Sequence, residues 1–179
     1  MYEFEQLERR ISLGTVNVET GEFTVWDQKN TEMHDMARAA ITSSSIPTVF
    51  PPHVWEGRGI FMDGGTVYNV NMNSAIEQCL EVVDDESKIT IDLFVCGPEP
   101  EPIEETGIAK SLSNMMRSRS IRSAYGSTNT IVDALRAHPT VNYRYLIYES
   151  ADTQRRGLSE LEFDGDKTWP LQVQGRLDA

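Results

Sequence analysis

Cysteine is nearly absent: the 179 residues contain two, Cys79 and Cys96. That is too few for a disulfide framework or a four-ligand zinc site. Both lie in apolar-patterned segments and read as buried free thiols of a reducing compartment. Positive charge is also in deficit, with 16 Lys and Arg against 28 Asp and Glu and a net charge of −12. Polyphosphate binding needs a basic footprint, so a nucleic-acid groove is excluded as the expected function. No apolar run approaches the ~20 residues of a membrane span. The first residues, Met1-Tyr2-Glu3-Phe4-Glu5, are acidic where a secretory signal or presequence is basic. The expected location is therefore intracellular, either cytoplasmic or peripheral to a membrane. Internal repeats and low-complexity blocks are missing too.

What is there is ordinary for a folded domain: 39% hydrophobic and 25% charged residues, in a length that suits one core. Residues 11–27 read as strand, turn, strand around Thr20-Gly21-Glu22. Residues 31–42 read as a helix capped by Thr31, with Met33, Met36, Ala37, Ala40 and Ile41 on its apolar stripe. Three prolines exclude helix from 43–52. Ile60-Phe61-Met62 is a short strand. Asn73 caps a second predicted helix over 74–83, whose stripe is Ala75, Ile76, Cys79, Leu80 and Val83. The strongest buried-strand pattern is 88–96, followed by a stiff acidic loop at Gly97-Pro98-Glu99-Pro100-Glu101-Pro102. Residues 105–138 read as helix split near Gly126, and 143–148 as a strand. In the last thirty residues Leu158, Leu161, Phe163, Trp169 and Leu171 are the expected docking side chains. Strands alternating with helices predict a layered α/β domain with a mainly parallel sheet.

The chemistry concentrates at Asp63-Gly64-Gly65. A carboxylate at the C-terminal end of an apolar strand sits where open α/β sheets collect ligands. Two glycines let the chain turn through positive φ and let another group approach closely. A carboxylate accepting amides of that turn stays ionised and aimed, as a base requires. Taken alone, the tripeptide fits an ordinary Asp-Gly turn as well.

Its surroundings add to this. Ala39-Ala40-Ile41-Thr42-Ser43-Ser44-Ser45-Ile46-Pro47-Thr48-Val49-Phe50-Pro51-Pro52 precedes Phe61-Met62-Asp63-Gly64-Gly65-Thr66-Val67-Tyr68-Asn69. Upstream lies Thr15 to Glu22, and downstream Thr90 to Gly97. Over roughly 11–97 this order resembles the patatin-like phospholipase family. The resemblance implies an α/β three-layer sandwich with a mainly parallel sheet and lipid acyl hydrolysis by a Ser-Asp dyad without metal or cofactor. Asp63 then maps onto the dyad base, with Gly64 and Gly65 as its turn. The family places Gly-x-Ser-x-Gly and a glycine-rich oxyanion loop earlier in the chain. Neither occurs here: no two glycines are separated by three residues. Asn71 also stands where the family often has proline.

The expectation is thus a single partial domain over 1–179, the C-terminal half of the family's fold with its nucleophile half missing. It would be inactive alone and would take a lipid ester only when completed. The alternative is a non-catalytic patatin-like structural or interaction subunit. A sheet deprived of strands exposes edges and an apolar face, so a protein partner or a second copy is expected to cover it. A local triad from Ser43, Ser44 or Ser45 with His34 or His53 and Asp63 lacks an elbow, and serines at a helix exit are usually turn residues. His138 reads as a helix-end residue. Arg117, Arg119 and Arg122 read as a solvated helix face, or as a patch for anionic head groups at a membrane.

Overall fold

The computed structural model describes residues 9–96, 111–148 and 164–178. The proline-rich loop at 97–102, the predicted helical residues 105–110, and Leu158, Leu161 and Phe163 lie outside them. Two compact units result: residues up to Thr90 with Gly126–Asn142, and Ile91–Tyr125 with the chain from Tyr143.

In the first unit, β1 (Ser12–Asn17) and β2 (Phe23–Asp27) form an antiparallel hairpin. Its turn is built by Asn17, whose Oδ1 accepts the Glu19 and Thr20 amides at 2.9 and 3.1 Å. Gly21 completes it at φ 74°, where a side chain would be strained. β3 (His53–Trp55) and β4 (Gly59–Asp63) form a second hairpin, and β4 pairs antiparallel with β1. The order is β2-β1-β4-β3. The expected mainly parallel sheet is therefore corrected for this unit. The intervening helix does not carry the chain between parallel neighbours; it links β2 to β3, the two edges of an antiparallel sheet.

That helix, α1 (Met33–Ser43), buries Met36, Ala39 and Thr42. Ala37, Ala40 and Ile41 of the predicted stripe are exposed. The stripe is misplaced because the buried face is partly polar. Thr42 is fully buried, with Oγ1 donating to the Arg38 carbonyl at 2.8 Å and accepting Trp55 Nε1 at 3.3 Å. Thr31 does not cap α1: the cap position is Glu32, without a side-chain bond, and Thr31 Oγ1 donates to Asn30 Oδ1.

Ala39 packs into a core with Trp26, Trp55 and Phe61. The two indoles stack at 4.4 Å with 20° between planes, and Phe61 meets Trp26 edge-on at 5.1 Å. A buried indole N–H needs an acceptor. Trp26 Nε1 finds one in Thr15 Oγ1 at 2.6 Å. Arg38 and Arg58 lie over the faces of Trp55 and Trp26.

α2 (Met72–Leu80) starts two residues earlier than expected, because Asn71 rather than Asn73 caps it. Asn71 Oδ1 accepts the Ser74 amide at 3.3 Å and Nδ2 donates to Ser74 Oγ at 2.7 Å. Proline could do neither. Of the predicted stripe only Ile76 is buried, joined by Met72 and Ser74. Cys79 and Cys96 are both exposed, correcting the expectation of buried thiols. From the long helix α3 (Ser111–Ala137), Ile131 and Ala134 are buried in this unit with Val141. α3 runs unbroken through Gly126, which is solvent-exposed in mid-helix. A glycine there costs under about 1 kcal/mol, too little to break a helix of this length.

In the second unit β5 (Thr90–Val95) pairs with β6 (Asn142–Tyr148). Thr90 faces Asn142 and Asp92 faces Arg144, so the strands run parallel. β5 was expected to be buried, yet only Val95 is; Phe94 is 66% exposed. Leu146 and Tyr148 of β6 are exposed as well. α4 (Gly165–Asp178) leaves Trp169 exposed and Leu171 half-buried. The architecture is mixed α/β, with a four-stranded antiparallel sheet and a two-stranded parallel one.

Candidate active site at the end of β4

Asp63 closes β4, opposite Thr15 of β1. Its amide donates to the Ser45 carbonyl at 3.1 Å, which ties the strand end to the exit of α1. Its Oδ1 accepts the Gly65 amide at 2.8 Å, and the side chain is half-buried. The carboxylate is thus aimed by the backbone it precedes while keeping access to solvent.

The two glycines serve close approach. Neither has positive φ, correcting the expectation of a left-handed turn. They form a single 3-10 turn, Gly64–Thr66, closed by the Val67 and Tyr68 amides on the Gly64 carbonyl at 3.0 and 2.9 Å. A Cβ on Gly64 would stand 2.3 Å from the Gly14 carbonyl oxygen. At Gly65 it would meet Asn69 Oδ1 at 3.1 Å and Asp63 Oδ1 at 3.2 Å. Asn69 Nδ2 donates to Ser127 Oγ on α3 at 3.2 Å. Nothing in the sequence singled out Ser127, since a contact 58 residues away leaves no local pattern.

The serine triplet has turn roles, as its position at a helix exit suggested. Ser43 Oγ donates to the Gly14 carbonyl at 2.7 Å, Ser44 Oγ to the Ala40 and Ile41 carbonyls, and Ser45 Oγ to the Ile41 carbonyl. His34 is exposed beside Glu32 and Asp35. His53 sits on β3 opposite Phe61, and His138 Nδ1 lies 2.7 Å from Glu86 Oε1. The structure therefore does not assemble a triad from these groups. In the loop after α1, Thr48 sits at φ 74°, a conformation a β-branched residue rarely adopts.

Arg117 and Arg119 are half-buried on α3 and Arg122 is exposed. In the first unit a groove of about 510 Å³ is lined by residues of the start of β1, α2 and the chain before β5, among them Ala75, Cys79, Val83 and Ile89. Among the described residues no three His, Cys, Asp or Glu side chains are grouped to hold a metal ion. No described helix is long and apolar enough to cross a membrane.

Several carboxylates are held below their ordinary range by donors. Lys29 and Arg10 do this to Glu81, His138 and Thr140 to Glu86, and Arg144 to Asp92. These pairs lie on the surface and stabilise little individually.

No curated protein matches this chain. The model of the patatin-like phospholipase family matches residues 3–76, the N-terminal part of the chain. The matched stretch contains β1, α1 and the Asp63-Gly64-Gly65 turn but stops inside α2, short of the β5 region to which the resemblance was extended. At the level of the family, that match supports a lipid acyl hydrolase.

Proposed function

We propose that this chain supplies the base of a Ser-Asp dyad in a patatin-like lipid acyl hydrolase, with Asp63 as that base. The observation that carries the reading is the carboxylate held at 2.8 Å by the Gly65 amide, half-buried at a strand end, within the stretch that matches the family. In this reading Asp63 takes the proton of a serine as that serine attacks the ester carbonyl, and returns it to the leaving alcohol. Gly64 and Gly65 keep the turn tight so that the carboxylate does not drift.

The serine and the oxyanion amides come from outside these residues, because Gly-x-Ser-x-Gly occurs nowhere among them. Residues 3–76 would then be the part of the family's domain that carries the aspartate, and the chain would be inactive alone. The exposed Phe94, Leu146 and Tyr148 on the two-stranded sheet support a missing protein neighbour, the remainder of the domain or another chain. The substrate class is a fatty-acyl ester, phospholipid or glyceride, approached from a membrane surface.

A second reading is a non-catalytic subunit of the same fold, favoured by the absent serine motif. The two separate on one substitution. In the protein joined to a Gly-x-Ser-x-Gly segment, Asp63→Asn abolishes ester hydrolysis and leaves the melting temperature within a few degrees. Full activity of that variant removes the assigned role.

A further inference from the structure

We propose that Ser127 is a positioning residue for the Asp63 carboxylate, acting through Asn69. The inference rests on the reading of Asp63 as a base, and deepens it.

The buried stripe of α3 in the first unit is Ser127, Ile131 and Ala134, spaced four and three residues apart on one face. A serine at the end of an apolar stripe, 5% exposed, is costly unless its hydroxyl is bonded. Its partner is the Asn69 side-chain amide at 3.2 Å. That bond joins α3 to a residue three positions past the Gly64–Thr66 turn. Asn69 Oδ1 in turn lies on the side of Gly65 where an added Cβ would stand 3.1 Å from it. Gly65 donates its amide to Asp63 Oδ1. The path runs from helix to amide side chain to glycine to carboxylate, with hydrogen bonds at its first and last links. Ile131 and Ala134 are buried on the same face of α3, so Ser127 presents a fixed acceptor to Asn69 beside that turn.

Removing the hydroxyl takes away the α3 partner of the Asn69 amide and loosens the side chain beside Gly65. The bond most affected is Gly65 N–H to Asp63 Oδ1. Hydrogen exchange of the 179-residue chain, read at the Gly65 amide against the Val16 and Phe61 amides of β1 and β4, reports that bond without requiring catalysis. Ser127→Ala should speed exchange at Gly65 roughly three- to tenfold relative to the two strand amides, the range expected for one net hydrogen bond. Ser127→Thr, which keeps the hydroxyl, should restore the wild-type ratio. An unchanged ratio in Ser127→Ala, equal acceleration at all three amides, or a Thr variant indistinguishable from Ala would overturn the proposal. Loss of the base assignment would appear separately, as Asp63-independent hydrolysis in the completed protein with the exchange result intact.

Discussion

Gly64 lies against the backbone of Gly14 so closely that a Cβ there would stand 2.3 Å from a carbonyl oxygen. The contact joins the turn after β4 to the middle of β1, and Ser43 Oγ donates to the same Gly14 carbonyl. Gly64→Ala must push backbone apart, and the expected loss is about 1–3 kcal/mol, as for overpacking elsewhere. Gly126→Ala is the internal contrast: it sits in α3 with nothing within 4 Å of a new Cβ. It should gain about 0.5–1 kcal/mol. Urea denaturation of the two variants checks both signs.

Thr15 is completely buried and its hydroxyl takes the Trp26 indole N–H. Thr15→Val keeps the shape and strands that donor in the core. The expected cost is about 1–3 kcal/mol. Thr15→Ser retains the hydroxyl and should recover part of that loss, with packing of the missing methyl accounting for the remainder. A valine variant as stable as wild type would show that the indole finds another acceptor.

Acid sensitivity should trace in part to Glu86. Its carboxyl is held below the ordinary value of 4.5 by hydrogen bonds first from His138 and then from Thr140. A depressed folded-state pKa stabilises the fold above the unfolded value, and that contribution disappears as pH falls through the folded one. The window therefore opens below about pH 4.5. Glu86→Gln should flatten the dependence of the urea midpoint on pH in that window. An identical acid profile in the variant would assign the sensitivity to other carboxylates.

The hairpin over 11–27, the strand ending at Asp63 and the turn that follows were legible because each has a local cause: Gly21 at positive φ, an apolar run, an Asp-Gly-Gly punctuation. The helix faces were not. Thr42 and Ser74 are buried by hydrogen bonds that hydrophobic periodicity does not see, which turned the predicted stripes of α1 and α2 onto exposed residues. Strand order was also hidden, because alternation of strand and helix does not say which edges the helix connects. At the site, Asp63 and its glycines could be singled out from their spacing. Their reason for being glycine could not, since it lies in Gly14 and Asn69. Ser127 entered only when α3 was folded against Asn69.

The central claim is that Asp63 belongs to a dyad whose serine this chain does not contain. It is tested most directly by treating the purified 179-residue chain with a fluorophosphonate serine probe while following hydrolysis of a p-nitrophenyl fatty-acyl ester. The account predicts no labelling and no turnover, because Ser43, Ser44 and Ser45 are committed to backbone carbonyls. Labelling of a serine within the chain, with turnover lost in Asp63→Asn, would contradict it.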